Sequence, residues 1–145
     1  MSELREIFAG ETGLGGPALL ELRPRWGSAE AITQLVDEQL RPAGYRLVGV
    51  FDDTSDYARS ILGFRVTHST AWGRFVYVDD VSTVPEARGH GYADQLVGWV
   101  KGEAARLDCE AVHLDSGVAA SRAAAHRLYM RHHLAITSHH FSVEV

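Results

Sequence analysis

The sequence predicts an α/β protein in which a central, mostly antiparallel mixed sheet is flanked by helices, with one domain spanning residues 1–145. Three observations point there. Apolar residues make up 46% of the 145 residues, enough for one sizeable core. Short β-branched and aromatic runs between turn-forming residues fill much of the first half. After Gly91 the apolar period becomes that of helices alternating with strands.

Taken in order, Gly13-Leu14-Gly15-Gly16-Pro17 reads as a mobile loop after a short first segment, and Leu19 to Trp26 as a short strand. Ser28 is placed to cap a helix, because its hydroxyl can accept from an early helical N–H. Ile32, Leu35, Val36 and Leu40 follow at helical spacing, and Pro42 and Gly44 end that helix. Tyr45 to Phe51, Ile61 to Thr67 and Phe75 to Val81 are strand candidates. Asp52 to Asp56 has turn chemistry and Ser69 to Gly73 suits a hairpin, so the centre reads as an antiparallel meander. Leu96, Val97, Val100, Ala104 and Leu107 mark a helix. Glu110 to Leu114 is again a strand, Ala119 to His132 is helical, and alternation in Phe141 to Val145 predicts a strand that closes the sheet.

Composition narrows the function classes. A net charge of −5 argues against general nucleic-acid binding, which needs a basic face. No apolar run approaches the roughly 20 residues of a membrane span. Met1 to Glu6 lacks a basic start followed by an apolar block, so no secretory signal is expected. The single cysteine, Cys109, has no internal partner for a disulfide, which favours a cytoplasmic setting. His132-His133 and His139-His140 do not have zinc spacing, since neighbours on a helix or strand point apart, and no metal is expected. His126 and His139 are expected to pack near the end of the sheet. Trp99 should pack in the core, whereas Trp72, at the hairpin tip, is open to a role at a substrate mouth or a dimer contact.

The stretch Val81-Ser82-Thr83-Val84-Pro85-Glu86-Ala87-Arg88-Gly89-His90-Gly91-Tyr92-Ala93 reads as a strand, a glycine-bearing turn and the start of a helix. Gly89 and Gly91 leave backbone amides open to a ligand. The following helix adds its unpaired N–H groups and positive dipole end, and Arg88 and His90 add donors at the rim. A pyrophosphate fits such a site without a metal. By itself the glycine pair is equally a structural turn. Neither a Walker loop nor a dinucleotide fingerprint is present.

The wider pattern, Arg88-x-x-Gly91-x-Ala93 after a strand ending in Val84-Pro85-Glu86, resembles the acetyl-CoA motif of GNAT N-acetyltransferases. Ala125-His126-Arg127-Leu128-Tyr129 resembles that family's later helix, and the stretch after Ile136 its closing strand. The resemblance covers Ile61 to Val145 well and Leu19 to Phe51 in outline. It departs in three places: Ala93 replaces a frequent glycine, Arg122 a frequent asparagine, and His133-Leu134 a Gly-Phe pair. It implies acetyl-CoA as cosubstrate, held at the pyrophosphate by the amides of Arg88, Gly89, His90, Gly91, Tyr92 and Ala93. The backbone of Val81 and Thr83 would pair with the pantetheine arm. The Val81 amide would face the carbonyl oxygen, and Tyr129 would protonate the departing thiolate.

An alkylammonium has a pKa near 10, so a base or proton wire is needed. Asp79 and Asp80 are the candidates, with Asp80, through a water, in front. In a regular strand, alternation puts Asp79 on the face of Val81 and Asp80 on the other. Both also read as solvated turn carboxylates or salt-bridge partners. Glu86 reads as a solvent-facing loop residue and Cys109 as structural. The acceptor is a small amine or a protein amine, and the acidic balance tips towards a small cationic one. A homodimer is common in the family. A non-catalytic acyl-CoA-binding module is the competing reading, but it has no need of Tyr129 or the aspartate pair.

Overall fold

Adjacent apolar residues in the strands face opposite sides of one sheet, and both sides are covered. In the computed structural model, which describes residues 1–145, Val48, Val50, Leu62, Phe64, Val76 and Val78 are buried on one side and Leu47 and Ile61 on the other. The strands are β1 (Ser2–Ile7), β2 (Arg46–Asp52), β3 (Ser60–Ser69), β4 (Gly73–Thr83) and β5 (Ala111–Leu114). The sheet order is β1-β2-β3-β4-β5. Every pairing is antiparallel except the last, where β5 runs parallel to β4. Parallel neighbours need a crossover, and α3 (Tyr92–Arg106) supplies it. Leu96, Val97 and Val100 of α3 and Leu128 and Tyr129 of α4 (Ala123–Arg131) cover the first side. Ala18 and Leu19 of α1 (Gly16–Leu22) and Ile32 of α2 (Ala29–Leu35) cover the second, where Tyr45 is also buried.

The central meander, the hairpin turn, the Ser28 cap and the two later helices follow expectation. Ser28 Oγ accepts from the Ala31 amide at 3.1 Å. The first forty residues differ from it. The N-terminal segment is a full edge strand, β1, whose interleaved Glu3, Arg5 and Glu6 mask its pattern. Leu19 to Trp26 is helical rather than a strand: Pro17 opens α1, where its missing N–H costs nothing, and a 3-10 turn at Pro24–Trp26 follows. Nor is Gly13 to Pro17 a loose loop. A Cβ on Gly15 would sit 2.9 Å from Leu47, so glycine serves close packing there.

The closing strand is also absent. His133 takes a left-handed conformation (φ 66°) at the end of α4, the place where the family's pattern has glycine. Leu134 donates to the Tyr129 carbonyl, and no residue after it makes a backbone hydrogen bond. Phe141 and Val143 are exposed, and β5, with four residues, forms the sheet edge. Alternation alone does not make a strand without a ladder partner, and none is engaged. His139 is accordingly exposed, whereas His126 Nε2 lies 2.7 Å from the Gly117 carbonyl oxygen.

Candidate active site

The site begins with one extra residue in β4. Its register with β3 runs from Ser69↔Gly73 to Phe64↔Val78, then resumes at Gly63↔Asp80, which leaves Asp79 with no opposite residue. Such a bulge bends a strand and re-aims its side chains. Val78 and Val81 both pack towards the α3–α4 side. Asp79 and Asp80 both line a cavity against α1 and α2. The expectation that alternation separates the two carboxylates is therefore corrected: the bulge breaks the period of two at that position.

Both aspartates are held. Asp80 accepts from Arg23 Nε at 3.1 Å on Oδ1 and from Tyr45 Oη at 2.8 Å on Oδ2. Arg23 Nη2 also donates to the Asp79 carbonyl at 3.0 Å, tying the end of α1 to the bulge. The Arg65 fork donates two bonds of 2.9 Å to the Asp79 carboxylate. Tyr45 is 3% exposed. Burial, and then the Asp80 charge, push its phenol well above the ordinary tyrosine value, so it stays a donor. Its path crosses Gly63, where a Cβ would lie 1.8 Å from the phenol oxygen. Arg23, Tyr45 and Arg65 are functional candidates that sequence reasoning missed. None sits in a motif, and only the folded register brings them to Asp79 and Asp80.

A second cleft, of about 280 Å³, opens where β4 and β5 part. Their pairing ends at Val78↔Leu114, yet β4 continues to Thr83, leaving its later edge without β5 alongside. Asp79, Asp80 and Val81 line this cleft with Leu114, Arg122 and Tyr129. Tyr129 is 8% exposed, and its phenol is raised above the ordinary value by burial, with Arg122 pulling the other way. Arg122, the residue standing where the family has asparagine, is thus a neighbour of the same cleft. The two cavities share Arg23, Asp79 and Asp80.

The glycine turn lies beyond the end of β4. Gly89 (φ 81°) and Gly91 (φ 77°) are left-handed, and a Cβ on either would meet nothing within 4 Å, so the turn presents bare backbone to an open side. The amides of Gly89, His90 and Gly91 donate no backbone hydrogen bond, and those of the first turn of α3 have no intrahelical acceptor. The side chains turn elsewhere. Arg88 pairs with Glu21 at 3.3 Å, His90 Nδ1 lies 3.0 Å from the Ala87 carbonyl oxygen, and Tyr92 donates to Asp52 at 2.8 Å. Thr83 Oγ1 is 2.8 Å from Ser60 Oγ, leaving its backbone as the part near the open edge. The Arg88 amide, expected among the donors, instead donates to the Pro85 carbonyl at 3.3 Å, because a 3-10 turn precedes it; the main chain from Gly89 to Ala93 is what fits a pyrophosphate. Gly91→Glu is expected to weaken binding of a pyrophosphate-bearing ligand at this turn by at least about tenfold, or about 1.4 kcal/mol, by putting bulk and charge into the turn. Calorimetry checks this, with Gly91→Ala separating backbone strain from charge.

The remaining candidates fall outside the two clefts. Cys109 follows α3 as a free, half-buried thiol, and Glu86 is exposed, 3.7 Å from Arg59. Trp99 packs edge-on to Phe64. Trp72 stacks on His113 at 3.7 Å, at the far end of the sheet from the bulge, and lines neither cleft; Trp26 is the tryptophan at the α1–α2 cavity. The paired histidines do not gather with other His, Cys, Asp or Glu side chains into a group of three or more. No helix is long and apolar enough to cross a membrane.

Residues 4–134 match the sequence profile of the acetyltransferase (GNAT) family, and the chain belongs to that family. No curated protein sequence matches it. Solved structures share its fold at low identity. A ribosomal-protein-alanine N-acetyltransferase from Brucella melitensis biovar Abortus 2308 superposes with a TM-score of 0.82 at 13% identity, covering 100% of this chain and 99% of the other. A glucosamine-6-phosphate N-acetyltransferase from Arabidopsis thaliana gives 0.74 at 17% identity, covering 99% and 98%. A putative acetyltransferase from Agrobacterium tumefaciens str. C58 gives 0.80 at 16%, covering 99% of each.

Proposed function

We propose that the protein is an N-acetyltransferase that moves an acetyl group from acetyl-CoA directly to an amine. One observation carries the reading: a cavity of acceptor size and a cleft beside the parted strands meet at Asp79 and Asp80, with Tyr129 in the cleft. Bound acetyl-CoA would supply an activated acetyl thioester. The turn amides from Gly89 to Ala93 would hold its pyrophosphate, with Arg88 at the rim, and the free edge of β4 at Val81 and Thr83 would align its arm. The amine nitrogen forms the new bond to the carbonyl carbon as the carbon–sulfur bond breaks. The Val81 amide donates to the carbonyl oxygen, where charge grows. Tyr129 gives its proton to the departing sulfur. Asp80, directly or through a water, takes the proton that turns the bound ammonium into the neutral nucleophile, and the second proton leaves nitrogen for solvent as the amide forms; Asp80 then returns its proton to Tyr129, so one turnover releases one proton and restores both residues. No covalent enzyme intermediate is required, and Cys109 takes no part.

Asp80 is preferred to Asp79 because one of its oxygens is held only by a neutral phenol, whereas a guanidinium fork engages both oxygens of Asp79. Asp80→Asn is expected to lower kcat by about 10²–10⁴. A kcat unchanged from the native one would move the role to Asp79 or to water. The acidic composition supports a soluble amine rather than a nucleic acid as partner, and a cytoplasmic setting fits the lone thiol. Thiol release from acetyl-CoA with a panel of amines tests the whole reading.

A further inference from the structure

We infer that the acceptor is a monoamine with an apolar, branched or cyclic body, chosen by the cavity between α1, α2 and the β4 bulge. The inference rests on the acetyl transfer proposed above and names its acceptor class. The cavity holds about 460 Å³, within the range of small-molecule pockets, and eight of its twelve lining residues are hydrophobic. Trp26, Leu35 and Leu40 form much of its wall. The wall includes a wide π-type turn at Val36–Leu40 that continues α2, a local irregularity often found at functional sites. A lone lysine stem is narrow and unbranched, and would leave much of this volume unfilled. A ring or branched chain fills it and removes apolar surface from water.

All the polar groups lie at one end, and they are already matched in charge. Arg23 pairs with Asp80 and Arg65 with Asp79, and Tyr45 is a neutral donor to Asp80. Among the lining residues no cation is left over to receive a substrate carboxylate or phosphate. No anion is left over to receive a second ammonium along the apolar wall. A charged group placed against that wall would lose hydration without a partner. A single amine nitrogen at the polar end avoids both costs. It also stands at Asp79 and Asp80, where the cavity opens into the cleft that holds Tyr129.

The test compares 2-phenylethylamine with phenylalanine, which differs by a carboxylate, with spermidine, which adds ammonium groups, and with a lysine-containing peptide. Thiol release and product mass are read, and acetyl-CoA binding is measured separately by calorimetry. The expected result is a kcat/KM for 2-phenylethylamine at least tenfold above each of the others. Leu35→Glu should raise its KM at least tenfold and leave acetyl-CoA affinity unchanged. Faster turnover of phenylalanine, spermidine or the peptide overturns this acceptor class and leaves the acetyltransferase reading standing. Acetyl-CoA binding without turnover of any amine also overturns the acceptor class. Loss of both binding and turnover would instead remove the acetyltransferase reading itself.

Discussion

Tyr129→Phe is expected to lower kcat by about 10²–10⁴, the usual contribution of a positioned general acid, while acetyl-CoA affinity stays within about twofold, under roughly 0.5 kcal/mol. The ring packs in the α3–α4 core, with Leu128 beside it in sequence, so phenylalanine keeps the packing and removes only the hydroxyl. Burial raises the phenol above its ordinary value, so the native residue is protonated throughout the neutral range and is lost as an acid only when pH rises past that raised value. The alkaline limb assigned to Tyr129 should therefore lie above pH 10, and the variant should lack it. Rapid-quench turnover with a good acceptor, across pH, reads both effects. Turnover equal to native would take Tyr129 out of the chemistry, and a matching circular dichroism melt would show that the comparison is between folded proteins.

How much of this was legible in the sequence depends on the range of the signal. The glycine turn and the later helix are local patterns legible from spacing, whereas Tyr129 stands out through the resemblance to the GNAT family's later helix. The meander was equally readable, because Tyr45 to Phe51 and Phe75 to Val81 carry β-branched residues at strand period. α1 was misread because Leu20 and Leu22 alternate over a stretch too short to separate a strand from a helix; Pro17 was the stronger signal. The tail was misread for a different reason: Phe141, Val143 and Val145 have strand alternation, but pairing is a tertiary fact that alternation does not contain. The bulge is the most consequential omission. Nothing in Val78-Asp79-Asp80-Val81 marks an extra residue, since a bulge is a mismatch between two strands and needs both to be seen. With it went Arg23, Tyr45 and Arg65, which reach the aspartates from sequence distances of 57, 35 and 14 residues.

Gly63→Ala is expected to be the most damaging single methyl in the site. The added Cβ would fall 1.8 Å from Tyr45 Oη and 2.3 Å from its Cζ, so the ring itself must move. Gly63 lies opposite Asp80 in the β3–β4 register and beside the bulge, and Tyr45 is buried among core side chains with little room to shift. Overpacking of this kind costs about 1–3 kcal/mol, which in a protein of this size lowers Tm by a few degrees for each kcal/mol. The displaced phenol also stops donating to Asp80, and a hydrogen bond to a charged group contributes about 1.5–3 kcal/mol. Asp80 is then steered by Arg23 alone, so kcat should fall together with stability. Tyr45→Phe separates the two effects: it removes the donor and keeps the ring, so its kcat should fall with a smaller loss of Tm. Tyr45→Leu combined with Gly63→Ala should recover part of the lost Tm, because the shorter side chain clears the new methyl, but should recover none of the turnover. Native Tm and kcat in Gly63→Ala would mean that Tyr45 does not cross β3 at this point, and the account of how Asp80 is held would fail with it.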